Sequence, residues 1–230
     1  MRSGKLRAIA ASGVLAIAMF ATPAWAQDSD AQLWSTTSVS VPLGKPVSLD
    51  GELVLRFGDA ADGLYESEAG GFVTFAVSDS VKIGFGYTRV TNYAGGHVTR
   101  SEDRPRQQIE ANLGTLLGGT LSARLRIEER LRSNGSDTGF RLRPRLKWKL
   151  PVGRTGSTAL VLSHESFVEL NDTDWGQDAG YRRMRNFVGF DFAVAGPVRA
   201  ELGYLNQYGF RPARRDTMDH VLSISVAAKF

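Results

Sequence analysis

Residues 140–150 read Phe-Arg-Leu-Arg-Pro-Arg-Leu-Lys-Trp-Lys-Leu, and the way this stretch winds decides the fold. Phe140, Leu142, Pro144, Leu146, Trp148 and Leu150 share one parity, and Arg141, Arg143, Arg145, Lys147 and Lys149 the other. A helix would scatter the five cations around its circumference. A strand, whose side chains alternate between faces, collects them on one side.

Outward from this stretch the period persists. Leu121, Ala123, Leu125, Ile127 and Leu131 oppose Ser122, Arg124, Arg126, Glu128 and Arg130; Val47, Leu49, Leu53, Leu55 and Phe57 oppose Ser48, Asp50, Glu52 and Arg56. Val81, Ile83, Phe85 and Tyr87 oppose Lys82, Gly84 and Gly86, and at the end of the chain Leu222, Ile224, Val226, Ala228 and Phe230 oppose Ser223, Ser225 and Lys229. The pattern predicts strands near 32–42, 46–57, 66–77, 81–92, 105–116, 119–132, 139–150, 156–168, 181–194, 197–209 and 218–230. Short glycine- or serine-containing turns near 43–45, 78–80, 118–119, 152–156 and 195–197 alternate with longer polar connections near 58–65, 93–104, 133–138, 169–180 and 210–217. Hairpin turns favour that chemistry. Short turns at one rim and long loops at the other are the pattern of bacterial outer-membrane barrels.

Composition narrows the alternatives. Of 230 residues 42% are hydrophobic and 23% charged, which is globular, and the absence of cysteine removes disulfide scaffolds and Cys-based metal or haem sites. Residues 1–26 have a cationic start (Arg2, Lys5, Arg7), an apolar run from about Ile9 to Phe20 and an Ala24-Trp25-Ala26 cleavage signal, so they read as a secretory signal peptide cut after Ala26. That run is shorter than the roughly 20 residues of a spanning helix, and no later stretch reaches such a length. Cleavage deletes three of the 28 cationic side chains, leaving 25 against 24 acids, and the near-neutral remainder, residues 27–230, gives no support for nucleic-acid binding.

Alternation by itself fits a soluble barrel with an apolar interior or a membrane barrel with an apolar exterior. Segment lengths near the roughly 9 to 11 residues of a tilted spanning strand, the loop asymmetry and the terminal Phe230 at apolar parity favour the second. The expected fold is therefore all-β: an antiparallel up-and-down transmembrane barrel of about 10 to 12 strands in the bacterial outer membrane, with short periplasmic turns and long extracellular loops. Its partners would be outer-membrane lipids, lipopolysaccharide and, during insertion, the barrel-assembly machinery. Eleven segments conflict with the even strand number usual for single-chain bacterial barrels, so the first would be incomplete or a twelfth missed. Pro144 should cause a bulge, and Asn186, at lipid parity, should lie near the outer rim. Trp34, Trp148, Tyr181, Tyr204 and Tyr208 are girdle candidates.

With apolar positions outward, the lumen receives Glu52, Glu110, Arg124, Arg126, Glu128, Arg130, Arg141, Arg143, Arg145, Lys147, Lys149, Glu165, Arg183, Arg185, Asp191 and Glu201, together with Asp50, Arg56 and Arg199. Adjacent Arg and Lys rows on 119–132 and 139–150 cannot all pair within their own hairpin. Two readings follow: a charged plug filling a narrow barrel, or a basic pore that favours small anionic solutes.

Chemistry-bearing residues are few. His164 and Ser166 share a parity, and their His-x-Ser spacing resembles that of outer-membrane lipid A deacylases, which implies His as base and Ser as nucleophile, with Glu169 a candidate orienting acid. A lipid-modifying hydrolase and a soluble periplasmic lipid binder are thus the alternative functions. Asp172, Asp174 and Asp178 around Trp175 could hold a divalent cation but lack EF-hand spacing, and no phosphate loop, dinucleotide fingerprint or metalloprotease motif calls for a cofactor.

Trp34 with GELVLRF (51–57), RLRPRLKWKL (141–150), SHESF (163–167), GYRRMRNFVGFDF (180–192), ELGYLNQYGF (201–210) and the closing Phe230 together resemble a family of exported bacterial proteins of unknown function. Its members look like small outer-membrane barrels, sharing an RxRPR strand, a Glu-Phe strand and a Gly-Tyr-Leu strand. The resemblance implies fold and location and carries over no catalytic residue.

Overall fold

Strands built on this alternation must pair along both edges or leave backbone N–H and C=O groups without partners. In the computed structural model, which describes residues 28–153, 156–212 and 214–230, they pair along both edges by closing into a barrel. Residues 1–26, expected to be a signal peptide, lie outside the described residues. The described strands are β1 (Asp28–Gly44), β2 (Val47–Gly58), β3 (Gly63–Ala76), β4 (Val81–Ala94), β5 (His97–Leu116), β6 (Gly119–Arg132), β7 (Thr138–Val152), β8 (Thr158–Glu169), β9 (Gly180–Ala195), β10 (Val198–Gly209) and β11 (Thr217–Lys229). Each pairs antiparallel with its sequence neighbour, and β1 closes the ring against β11.

All eleven expected segments are strands, and the seam corrects only the expectation of an even number and of wholly antiparallel pairing. β1 is a full strand of 17 residues, and an odd number of strands in a meander makes the first and last run the same way. They pair in parallel from Asp28↔Thr217 to Ser40↔Lys229. Residue 28 therefore lies at the rim of the longer connections and Phe230 at the rim of the short turns, where its N–H donates to Ser40 O at 3.0 Å.

Two local expectations also change. Residues 97–104 are not loop: β4 and β5 pair out to Ala94↔His97 and turn through Gly95 and Gly96, whose φ values of 56° and 78° suit a two-residue hairpin. Their polar composition reads as loop, but a hairpin extending beyond an apolar belt can be polar on both faces. Pro144 makes no bulge. Its pairing with Leu125 of β6 is regular, and on the β8 side the register stops at Leu142↔Val168 and resumes in step at Arg145↔Glu165. The missing donor is absorbed as a gap in one ladder.

Burial gives the sidedness. Leu125, Leu146, Phe190 and Leu222 are 44%, 51%, 51% and 52% exposed, whereas Glu128, Arg143 and Glu165 on the opposite parity are 0%, 7% and 6% exposed. Strands far apart in the ring touch through these inward side chains, as in the 2.6 Å pair between Lys147 on β7 and Glu201 on β10. The charged face is the interior and the aliphatic face the outside, the inverse of a soluble barrel. Trp34, a girdle candidate, is instead interior and 5% exposed, lying between the guanidinium groups of Arg56 and Arg185 at 4.4 and 4.6 Å.

Candidate functional site

The β7 row organises the lumen. Arg141 donates through Nε to Glu169 at 2.9 Å; Arg143 meets Glu128 at 2.6 Å and Glu165 at 3.0 Å; Lys149 reaches Asp191 on β9 at 2.7 Å. Glu165 also takes Arg124, and Asp191 takes Arg199. Arg145 has no carboxylate within ion-pair distance among the described residues, and Arg126 has only the amide oxygen of Gln108, at 2.7 and 2.9 Å. Cations thus outnumber carboxylates toward the short-turn half, where Arg145 and Arg126, without an ion-pair partner, and Arg124, paired to Glu165, line a cavity of about 920 Å³ with Lys82, Asp50 and Glu110. Farther in, spaces of about 210 and 140 Å³ persist between the paired side chains.

Aromatic rings at the charged parity separate like charges. Phe167, 1% exposed, has Arg143 and Arg185 at 4.6 Å and Arg141 and Arg183 at 5.8 Å. Phe72 carries Arg106 and Arg126 at 4.6 and 5.0 Å, and its ring lies against β4 where Gly84 and Gly86 leave room. A Cβ at Gly86 would stand 2.5 Å from that ring. Ring faces attract guanidinium groups, and this attraction strengthens away from water. The sequence reading missed Phe72 and Phe167 as interior residues, although parity with Glu68 and Glu165 was the signal.

At the rim of the longer connections the lumen is covered. Arg130 grips Glu102 through two nitrogens at 2.6 and 3.0 Å and donates to Gln177 at 2.9 Å; Trp175 packs under Arg130 and Arg132 at 5.1 and 4.6 Å. Segments 133–137 and 170–179 are tied together where Asp174 accepts from Ser136 N and Oγ, both at 2.8 Å, and from Asp137 N at 3.2 Å. Those donors hold the Asp174 carboxyl below the usual carboxylate range. Asp172 accepts from Ala179 N at 2.6 Å, and Asp178 offers its carbonyl to Arg182 at 2.9 Å. Among the described residues no group of three His, Asp or Glu side chains is placed to hold a metal ion, and Asp172 and Asp174 act here as caps of backbone N–H groups.

Glu169 does not orient His164. It lies inside, with Arg130 and Arg141, and its odd parity puts it on the other face of the sheet. On the outer face His164 meets Asn186 at 2.7 Å and Ser166 at 3.0 Å, and Ser166 meets Tyr181 at 3.1 Å. His220 and Tyr204 form a separate outer pair at 2.7 Å. Trp148, outward at the short-turn end, donates its indole N–H to Leu116 O at 2.8 Å.

These features define a closed, odd-stranded β-barrel with an ionic interior and an aliphatic exterior. The chain belongs to the family of proteins of unknown function DUF2490, whose model matches residues 31–219. It is 35% identical over 202 residues to an uncharacterized protein of Methylorubrum extorquens, an alignment covering 87% of this chain and 88% of that protein. No solved structure matches.

Proposed function

We propose that the chain is an integral outer-membrane barrel whose lumen is blocked at one end by Arg–Glu pairing and forms, at the short-turn end, a basic chamber for small anionic solutes. The inverted sidedness carries this reading. Exposed Leu, Val and Phe side chains recur around the barrel, and such a surface exceeds the few hundred Å² that soluble monomers tolerate. Hydrocarbon solvates it, and closure leaves no sheet edge for lipid to meet. The soluble lipid-binder alternative needs an apolar interior, whereas the described one is lined by Arg and Glu. In the membrane the short turns face the periplasm, the outward Phe230 ends the strand presented to the assembly machinery, and the loops around Trp175 face outward toward lipopolysaccharide.

The lumen reading rests on charge balance. Arg124, Arg126 and Arg145 crowd the chamber with fewer carboxylates than cations, and basic linings favour anions. The pairing beyond it and the cover of Trp175 and Gln177 restrict passage, so the expected conductance is small or absent. The purified protein should require detergent, shift its gel mobility on heating and, where it conducts across planar bilayers, show anion preference in a salt gradient. Cation preference would discard the basic chamber. Monodispersity in plain buffer would discard the membrane barrel itself.

A further inference from the structure

On the outer face of β8 and β9, four polar side chains interrupt a mainly apolar surface and bond in series. Asn186 Oδ1 can only accept, so His164 Nδ1 carries the proton of their 2.7 Å bond and Nε2 presents a lone pair to the Ser166 hydroxyl at 3.0 Å. The Tyr181 hydroxyl, 3.1 Å from Ser166 Oγ, then donates to it. Beside this chain lies an outward groove of about 320 Å³ lined by Ile109, Ala111, Ala123, Leu125, Pro144 and Leu146, with His164 and Ser166 at its border. Its shape comes from the register. Ala111, Ala123, Leu146 and His164 are successive cross-strand neighbours, so two methyl-sized side chains lower the wall leading to the imidazole. Pro144 falls opposite Ser166, where the β7–β8 ladder is open.

We infer that this is an acyl-ester hydrolase site whose substrate is a membrane lipid, its acyl chain in the groove and its ester carbonyl over Ser166. The inference shares with the proposed function only the premise that this face meets lipid. Ser166 Oγ adds to the carbonyl carbon while its proton passes to His164 Nε2, and Asn186 holds the opposite ring nitrogen. Tyr181 donates to the carbonyl oxygen as that atom becomes negative. Collapse breaks the bond to the alcohol oxygen, which leaves with the proton from His164. Water, deprotonated by His164, then cleaves the acyl-serine, releasing a fatty acid and restoring Ser166. Asn186 is a positioning residue, because it acts only through the ring.

The test uses the full barrel refolded into phosphatidylethanolamine vesicles with and without lipid A, its folding checked by the heat shift. Released fatty acid is measured by mass spectrometry, and Ser166 is probed with a long-chain fluorophosphonate. Wild type should release fatty acid and take the probe; Ser166→Ala should do neither. His164→Gln should fall by about 100-fold or more. Tyr181→Phe should lose about 100-fold in turnover. Asn186→Leu should lose turnover that Asn186→Asp restores, with a shifted pH profile. Comparing the two vesicle types shows which lipid supplies the ester. A heat-shifting wild-type barrel that takes no probe and releases no fatty acid from either vesicle overturns the site while leaving the membrane barrel standing. A chain that is monodisperse in plain buffer removes both.

Discussion

Glu128 shows what a single side chain does in this interior. It is fully buried and binds Arg143 at 2.6 Å and Arg141 at 3.4 Å. Removing one member of a buried ionic group leaves the others uncompensated, a loss of about 3–5 kcal/mol, whereas an exposed pair contributes about 0–1 kcal/mol. Glu128→Gln should therefore lower stability by about 3–5 kcal/mol. Asp103→Asn, which breaks the outward pair with Arg89, should lower it by less than about 1 kcal/mol. Denaturant titration of tryptophan fluorescence in the refolded barrel measures both, and equal small losses would mean that water reaches and solvates the Glu128 cluster. The parity of Glu128 was legible in the sequence; its partners on β7 were not, because register selects them.

Among the elements, the cover over the lumen is expected to respond to pH. Asp174 ties the 170–179 loop to Ser136 and Asp137, and these bonds hold its carboxyl below the ordinary value. A depressed folded-state value means that the stabilisation is complete above the ordinary carboxylate pKa of about 4 and disappears as pH falls through the folded value. Hydrogen exchange at the Ser136 and Asp137 amides should stay slow, after correction for intrinsic rates, from neutral pH down to about 4, and accelerate below it. Acceleration already between pH 7 and 5 would assign the clasp to another group. Acidic residues at 172, 174 and 178 were visible in the sequence as a candidate cation site; that Asp172 and Asp174 instead cap backbone N–H groups depends on how the loops fold and meet.

For the whole molecule, the parallel seam has a consequence that an even-stranded barrel lacks. Residue 28 lies at the rim of the longer connections and residue 230 at the rim of the short turns. With the short turns in the periplasm, an epitope inserted beside Asp28 should be reached by antibody on intact cells, and one appended after Phe230 only after the outer membrane is permeabilised. Both epitopes appearing on the same side would refute closure through β1 and β11.

The sequence by itself determined the strands, their alternation and the separation of aliphatic from charged faces, because each is a property of consecutive residues under a period of two. His164 and Ser166 were legible for the same reason: they stand two apart in one strand. Asn186 entered the sequence reading as an awkward residue and became a hydrogen-bond partner of His164 only when β8 and β9 took their register. Closure of an odd ring, the arginines gathered around Phe167 and the cover of Trp175 were decided by tertiary structure. Each joins residues from strands or loops separated along the chain, and their distances depend on register, twist and barrel closure, which no local pattern records.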